Sequence, residues 1–341
     1  MSGNSPKTPP SSTVPRAPTL QDVARHAGLS PMTVSRALNR PQLVRAATLA
    51  KVMAAVQATG YIPNLLAGGL ASNRSRLIAV VVPQINNNMF TDTIQAISDE
   101  LAARGYHMLL CVAGYEPEEE EAIVSALLSR KPDGIVLTGI HHTKALKKRL
   151  LNAALPVVEI WDLTPTPLDM LIGFSHEKAG YAAGEYIAAK GYSRVGLLWT
   201  DDNRAQLRRQ GALAALEKSG LKCCCQTTVP LPATMAAGRK GMADLLTSQP
   251  DAIICSSDTL AQGAMLQAQS CGLKVPDDIA VIGFGDLDFA SSMLPPLTTI
   301  AIDRWETGKL AAIMLTDKIA GGEPANTVVD LGFSLILRHS T

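Results

Sequence analysis

Four side chains near the start of one predicted helix are of types that contact nucleic acid. They are Pro31, Met32, Ser35 and Arg36, within the segment TLQDVARHAGLSPMTVSRALN (19–39). An arginine can donate two hydrogen bonds to a guanine edge, and a helix that reads DNA places its N-terminal end in the major groove. A contact to phosphate alone is the alternative for Arg36, because many protein–DNA hydrogen bonds go to the backbone.

Two short helices joined at Gly28 are predicted to position this surface. Thr19 and Ser30 are N-cap residues, and Pro31 at the first helical position loses nothing by lacking an N–H group. Gly28 can adopt the left-handed conformation that ends a helix. A third helix is predicted over 46–59. The apolar residues expected to form the small core of this unit are Leu20, Val23, Ala24, Ala27, Val34, Ala37, Leu38, Leu49, Val52, Met53 and Val56.

The charge of the chain is divided unevenly between this segment and the rest. Residues 1–76 contain nine Lys and Arg and one acid, Asp22, so they carry +8. The whole chain is +1, which leaves −7 for residues 77–341. A cationic module on an anionic body is typical of a nucleic-acid-binding protein.

The composition of the chain also indicates the cellular compartment in which the protein is expected. Residues 1–18 are rich in Ser, Thr and Pro and are predicted to be a disordered tail without the apolar segment of a signal peptide. The longest clean apolar run, Leu77–Val82, is too short to span a membrane. The six cysteines show neither metal spacing nor a disulfide framework. We therefore expect free thiols in a cytoplasmic protein with no membrane partner.

From Leu77 onward, short apolar runs alternate with helical stretches. Strands are predicted at 77–82, 107–112, 134–138, 156–160, 171–174, 195–199, 252–256 and 279–284, and helices include 91–104, 118–129, 178–190 and 204–219. This alternation predicts an α/β fold of doubly wound parallel sheets in two lobes. We expect an N-lobe of about 77–174 and 300–330 and a C-lobe of about 175–299 and 331–341, with ligands at the carboxyl ends of the strands.

The motifs of common enzymes are missing from the sequence. It has no G-x-S-x-G elbow and no P-loop, and Gly283-Phe284-Gly285 lacks the third glycine of a dinucleotide fingerprint. His141-His142 has no third metal ligand at a useful spacing, and Glu118–Glu121 is expected to be a solvated helix start. We expect no enzyme activity, no cofactor and no metal.

Several motifs together resemble the lac repressor/galactose repressor family of bacterial transcription regulators. They are AGLSPMTVSRALN, GYIPN (60–64), LKVPDDIAVIGF (273–284) and PPLTTI (295–300), and the resemblance covers about residues 19–341. It implies a three-helix DNA-binding domain of helix-turn-helix type (19–63), a hinge helix or linker (64–76) and an effector-binding core (77–341) like periplasmic binding proteins. Within the family, PQINNNMF (83–90), GFGDLD (283–288) and DLGFSL (330–335) look most like gluconate-utilisation repressors.

The resemblance assigns DNA contacts residue by residue. Pro31 and Met32 match positions that choose between operators, where an apolar pair favours thymine methyl groups. Leu70 matches a leucine that wedges into the minor groove, although a plain flexible linker would fit Gly68-Gly69 equally well. Arg45 departs from the hydroxyl cap usual before the third helix. The assigned contacts to double-stranded operator DNA are Thr19, Ser30, Pro31, Met32, Thr33, Ser35, Arg36, Asn39, Asn64 and Leu70.

The resemblance also assigns an effector cleft between the lobes. Its expected residues are Gln84, Asn88, Phe90, Glu159, Asp162, Arg204, Arg208, Ser257 and Asp286. Gly285 departs from the family, since many sugar-binding or purine-binding members have an aspartate there. Loss of that anion beside two arginines favours an anionic ligand, because arginine binds carboxylate or phosphate at two points. Solvated surface arginines are the alternative for Arg204 and Arg208.

The sequence therefore predicts a repressor that binds a palindromic operator as a homodimer and is released by a sugar acid, gluconate or a related aldonate or ketoaldonate. A two-fold operator requires paired recognition helices. No leucine heptad tail follows the last strand-like segment, so a tetramer of lac repressor type is not expected. Responses to another carbohydrate or to a corepressor stay open. A free-standing sugar-binding protein and an enzyme that uses the cleft are the competing classes, which the charged N-terminal module and the missing catalytic motifs disfavour.

Overall fold

The computed structural model describes residues 16–62, 74–86 and 88–341. The chain divides into two compact units, Met1–Ser75 and Arg76–Thr341. The predicted contacts Asn64 and Leu70, most of the predicted hinge and most of the predicted tail lie outside the described residues.

Three helices form the described part of the N-terminal unit, as predicted. They are α1 (Leu20–Ala27), α2 (Pro31–Asn39) and α3 (Ala46–Thr59), with a 3-10 turn at Pro41–Leu43. The core contains Val23, Ala24, Val34, Ala37, Val52 and Ala55. The prediction for Met53 is wrong, because this side chain is 53% exposed. Val52, Ala55 and Val56 share one face of α3, and Met53 is rotated away from it by the helical period.

The predicted caps set the two helix starts. The Thr19 hydroxyl accepts from the Asp22 N–H, and the Asp22 carboxylate accepts the Thr19 N–H at 2.8 Å, which completes a capping box. Gly28 ends α1 with a φ of 65°. The Ser30 hydroxyl accepts from the Thr33 N–H at 3.2 Å. Arg45 precedes α3 without a side-chain cap hydrogen bond.

The N-lobe is built on six parallel strands. They are β1 (Leu77–Val82), β2 (His107–Val112), β3 (Gly134–Thr138), β4 (Val157–Ile160), β5 (Met170–Gly173) and β11 (Val328–Asp330), in the order β11-β5-β4-β3-β1-β2. The helices of this part are α4 (Thr91–Ala103), α5 (Pro117–Leu128), α6 (Lys144–Ala153) and α11 (Arg304–Ile319). Helix α11 packs on α4 and on the sheet.

The C-lobe sheet also has six strands. They are β6 (Val195–Thr200), β7 (Cys225–Val229), β8 (Ala252–Cys255), β9 (Ala280–Gly285), β10 (Thr298–Ala301) and β12 (Ser334–Ile336), in the order β12-β10-β9-β8-β6-β7. Only β12 is antiparallel to its neighbour in this sheet. The accompanying helices are α7 (His176–Ala189), α8 (Asn203–Lys218), α9 (Met235–Leu246) and α10 (Asp258–Ser270). The chain passes between the lobes after β5, β10 and β11.

Close packing of α7 on α8 fixes the relative position of these two C-lobe helices. A Cβ atom added to Gly180 would lie 1.8 Å from the Arg208 carbonyl oxygen, and one added to Gly211 would lie 1.9 Å from the Glu177 oxygen. The backbones therefore touch, and only glycine fits at both positions. Among the helices that the structure describes, none is long and apolar enough to cross a membrane.

Candidate functional site

The exposed side of α2 presents most of the residues predicted to contact DNA. Pro31, Met32, Arg36 and Asn39 are exposed, and the Met32 side chain is 71% exposed. Asn39 donates through Nδ2 to the Ser35 hydroxyl at 3.3 Å. The hydroxyl groups of Ser30 and Thr33 lie 2.9 Å apart, and Thr19 is engaged in its capping box. The solvent-facing part of this surface is one methionine and one arginine beside small polar groups.

A cleft between the two lobes of the second unit has two connected parts. The larger, which we call the acidic compartment, has a volume of about 310 Å³ and is lined by Glu116, Glu120, Asp162, Asp201 and Asp202, among others. The smaller, which we call the aromatic pocket, has a volume of about 60 Å³ and is lined by Phe90, Trp161, Phe284, His176 and Arg208, among others. Both are lined by Tyr115, Asp202, Arg204 and Leu231.

Arg208 is a buried cation in the aromatic pocket, with 8% of its surface exposed. Its Nη1 donates to His176 Nδ1 at 2.8 Å and its Nη2 donates to the Ser256 carbonyl oxygen at 3.1 Å. The guanidinium carbon lies 4.1 Å from the centre of the Phe284 ring. Burial lowers the Arg208 pKa to about 10; the charges of Asp202 and Asp162 act against this shift and the charge of Arg204 adds to it. The group stays protonated at neutral pH. In the described part of the chain, no carboxylate lies within 4.0 Å of it.

His176 accepts the Arg208 hydrogen bond because it is neutral. Its Nε2 lies 2.7 Å from the Trp161 carbonyl oxygen and donates to it, which leaves Nδ1 free to accept. Burial and the charges of Arg208 and Arg204 lower the pKa of His176 well below its usual value. Sequence reasoning missed this residue. The available signal was its place directly after β5, at a carboxyl end of the parallel sheet.

Arg204, the second arginine predicted to bind the effector, differs from Arg208 because it forms an ion pair. Arg204 Nε donates to Asp162 Oδ2 at 2.8 Å, and Asp162 is almost fully buried. Asp162 follows β4 of the N-lobe and Arg204 lies on α8 of the C-lobe. This ion pair therefore joins the two lobes and offsets the Arg204 charge, whereas Arg208 has no carboxylate in ion-pair contact among the described residues.

Aromatic rings form one wall of the cleft. Phe90 meets Trp161 edge to face, with ring centres 5.1 Å apart, and Trp161 meets Phe174 at 6.2 Å. Phe174 lies 4.4 Å from the His176 ring. Phe90 lines the aromatic pocket, as do Trp161 and Phe284, which the sequence did not predict. Phe174 packs against Trp161, His176 and Phe284 and lines neither part of the cleft.

Comparison with known proteins identifies the family. Residues 19–64 match the family described as bacterial regulatory proteins, lacI family, and residues 185–341 match the periplasmic binding protein-like domain. The HTH-type transcriptional regulator GntR of Pseudomonas aeruginosa is 37% identical over 330 residues, which cover 95% of this chain and 96% of that protein. The regulator GntR of Escherichia coli K12 is 33% identical and covers 94% and 97%.

This chain belongs to the lacI family. A solved structure agrees with that assignment: the LacI-family transcriptional regulator of Silicibacter pomeroyi superposes with a TM-score of 0.89 at 32% identity, covering 94% of this chain and 98% of that one. The similar proteins are transcriptional regulators, and the chain is a LacI-type transcriptional repressor. The predicted fold, a helix-turn-helix unit with two parallel-sheet lobes, is confirmed.

Other predicted effector residues of this lacI-family chain lie at the edge of the cleft or outside it. Ser257 lines the aromatic pocket and caps α10 by accepting from the Leu260 N–H at 3.3 Å. Asp286 pairs with Arg338 at 2.7 Å. Gln84, Asn88, Glu159 and Asp286 are not among the residues that line either part of the cleft.

The chain has a glycine at position 285, where many family members have an aspartate, and the surroundings of Gly285 leave little space for a side chain. Its φ is 129°, and a Cβ atom there would lie 2.6 Å from the terminal methyl of Met89. Met89 is buried and lines the aromatic pocket. A thioether therefore fills the space next to Gly285, and a side chain at this position would need both the methionine and the backbone to move.

Glu159 instead takes part in a buried cluster behind the acidic compartment. His142 Nδ1 donates to Glu120 Oε2 at 2.6 Å, and His142 Nε2 lies 3.3 Å from Glu159 Oε1. The backbone N–H of Leu168 donates to Glu159 Oε2 at 2.6 Å. The expectation that Glu118–Glu121 is only a solvated helix start is wrong for Glu120, because the fold brings His142 against it.

The His142 cluster predicts a pH-dependent stability. Burial disfavours the charged ring, but the bonds and charges of Glu120 and Glu159 outweigh it and raise the His142 pKa to about 9. A raised pKa stabilises the folded chain fully below the unfolded value near 6.5, and the stabilisation is lost as pH rises through about 9. Denaturant unfolding of the wild type and of His142→Asn should give a difference that shrinks between about pH 6 and pH 10, by about 3 kcal/mol at most.

The neighbouring variant His141→Asn is the matched control, since His141 is exposed. It should leave the wild-type pH profile unchanged. A pH-independent difference between wild type and His142→Asn would contradict the assignment of a charged ring at this position.

Proposed function

We propose that this repressor binds a palindromic operator as a homodimer and is released from it by a sugar acid, gluconate or a related aldonate or ketoaldonate. The observation that carries the ligand part is the burial of the Arg208 guanidinium with no carboxylate within 4.0 Å of it in the described part of the chain. A buried cation held only by neutral groups is completed by an anion, and the planar guanidinium matches a carboxylate at two points.

Two buried donors near this position support an anionic ligand rich in acceptors. In the described part of the structure, Arg208 Nε and Trp161 Nε1 have no hydrogen-bond partner. Both residues line the aromatic pocket. Buried donors are nearly always satisfied in folded proteins, so a bound acceptor is the simplest partner for them. The similarity to regulators named GntR and the resemblance of 83–90, 283–288 and 330–335 to gluconate-utilisation repressors both support a sugar acid.

The DNA side of the proposal rests on the exposed face of α2. Met32 offers an apolar surface for thymine methyl groups, and Arg36 is the side chain able to read a guanine edge by two hydrogen bonds. Thr19, Ser30, Pro31, Thr33, Ser35 and Asn39 would add backbone and groove contacts, with Asn64 and Leu70 at the operator centre. A two-fold operator needs two such helices, which supports a homodimer.

Contacts that cross the cleft support a coupling between ligand and DNA. The Arg204–Asp162 ion pair and the His176–Trp161 hydrogen bond each join an element of the C-lobe to the N-lobe. A ligand bound on Arg208 would change the balance of these contacts and with it the angle between the lobes. We propose that this change reaches the predicted hinge, which directly precedes β1, and weakens operator binding.

Arg208→Ala should abolish the response to the acid while operator binding persists. Removing one partner of a buried charge pair costs about 2–5 kcal/mol, so gluconate affinity should fall at least about thirtyfold. Thermal unfolding with D-gluconate measures this directly, because a ligand of the native state raises its stability by mass action. D-Glucose, which lacks the carboxylate, should give no shift with the wild type.

Arg209→Ala is the matched control on the same helix. Arg209 bonds to Gln206 and Gln226 at the surface and lines neither part of the cleft, so its variant should keep the gluconate shift. An unchanged gluconate shift in Arg208→Ala would remove Arg208 from the site.

Arg36→Ala should cost about 1–3 kcal/mol of operator binding and relax the preference at one base pair. Selection from a randomised operator library with wild type and variant measures both effects. Arg25→Ala removes the same charge from α1 and serves as the control for electrostatic attraction alone, since Arg25 is exposed and pairs with Asp22. An equal loss on every sequence would mean that Arg36 contacts only phosphate.

A further inference from the structure

The charge of the residues that line the cleft differs between its two ends. Five carboxylates line the acidic compartment, Glu116, Glu120, Asp162, Asp201 and Asp202, and the aromatic pocket holds Arg208, which has no carboxylate in ion-pair contact among the described residues. The two parts are continuous, because both are lined by Tyr115, Asp202, Arg204 and Leu231. A ligand anchored on Arg208 therefore extends toward carboxylates.

Two of these five carboxylates have a cationic partner within the protein. Asp162 pairs with Arg204 at 2.8 Å, and Glu120 accepts from His142, whose pKa is raised to about 9. His142 is shared between Glu120 and Glu159, so it offsets only part of their combined charge.

The other three acidic side chains have no cationic partner in the described part of the chain. Asp201 accepts from the Gln206 amide at 3.0 Å, and Asp202 accepts from the Ala205 N–H at 2.9 Å and the Thr200 hydroxyl at 2.8 Å. Glu116 precedes α5 without a side-chain cap hydrogen bond. The lining adds the exposed His141 imidazole but no lysine.

We propose that the acidic compartment restricts the ligand to a single anionic group. The carboxylate lies on Arg208 in the aromatic pocket, and an uncharged hydroxylated tail occupies the acidic compartment. Carboxylates accept hydrogen bonds from hydroxyl groups, and Thr138 and Asn203 add polar groups to the same lining. A second anion at the far end of the ligand would meet Glu116, Asp201 and Asp202, and like charges held together in an interface are strongly disfavoured. This inference rests on the proposed function, because it assumes the carboxylate on Arg208.

D-Gluconate and D-glucarate test the inference as a matched pair. The two acids share one carbon chain and differ only at the terminal carbon, which is a hydroxymethyl group in gluconate and a carboxylate in glucarate. Calorimetric titration of the full chain should give at least about a hundredfold weaker binding for glucarate. 6-Phosphogluconate, with a dianionic tail, should bind at least as weakly.

Neutralising two of the repelling carboxylates should restore binding of a ligand that has a second anionic group. The double variant Glu116→Gln/Asp201→Asn should lower the gluconate-to-glucarate affinity ratio at least about tenfold, because the second anion of glucarate then meets two neutral amides. Glu118→Gln is the control, because Glu118 lies in the first turn of the same helix and outside the lining. It should keep the wild-type ratio.

The outcomes separate this inference from the proposed function. Equal binding of gluconate and glucarate by the wild type, or a ratio that the double variant does not change, would overturn the single-anion inference and leave the sugar-acid response standing. Failure of all three acids to bind would overturn both.

Discussion

The ligand-binding unit depends on one constraint, the burial of the Arg208 guanidinium with no counter-ion in the described part of the chain. A buried ion loses several kcal/mol of hydration, which must be offset by good geometry. Here the offset comes from neutral acceptors and an aromatic face: His176 Nδ1, the Ser256 carbonyl oxygen and the Phe284 ring. These groups orient the cation without an ion pair, and that combination is the basis of the anionic ligand proposed for the site.

The same constraint explains features that otherwise look unrelated. His176 must stay neutral to accept from an arginine, and its bond to the Trp161 carbonyl oxygen fixes the tautomer that does so. Trp161 holds a φ of 78°, an uncommon conformation for a bulky residue, and its ring packs against Phe90 and Phe174. The glycine contacts between α7 and α8 hold His176 and Arg208 in register. Trp161 belongs to the N-lobe and Arg208 to the C-lobe, so the Arg208 charge lies at the junction of the two lobes. A ligand that changed the angle between the lobes would have to alter the contacts at this junction.

The sequence was most informative where interactions are local. The helix pair, its caps at Thr19 and Ser30 and the turn at Gly28 follow from residues within four positions of each other, and the long apolar strands follow from continuous runs. Strand β7 was missed because its CQTTV sequence alternates exposed and covered residues at the sheet edge. The difference between Arg204 and Arg208 could not be predicted from their spacing on one helix, because it is set by Asp162 and His176, which the tertiary fold brings from far along the chain. Glu159 was assigned to the ligand for the same reason: its partner His142 becomes a neighbour only when the sheet and the following loop are in place.

In the proposed mechanism, binding of an acid on Arg208 and binding of operator DNA oppose each other. This opposition is tested most directly by the affinity of the protein for D-gluconate, determined by calorimetry with and without saturating operator. Because coupling is reciprocal, the account predicts that operator weakens gluconate binding by the same factor by which gluconate weakens operator binding, about 5- to 150-fold for a typical coupling of about 1–3 kcal/mol. Equal gluconate affinity for the free and the operator-bound repressor would contradict it.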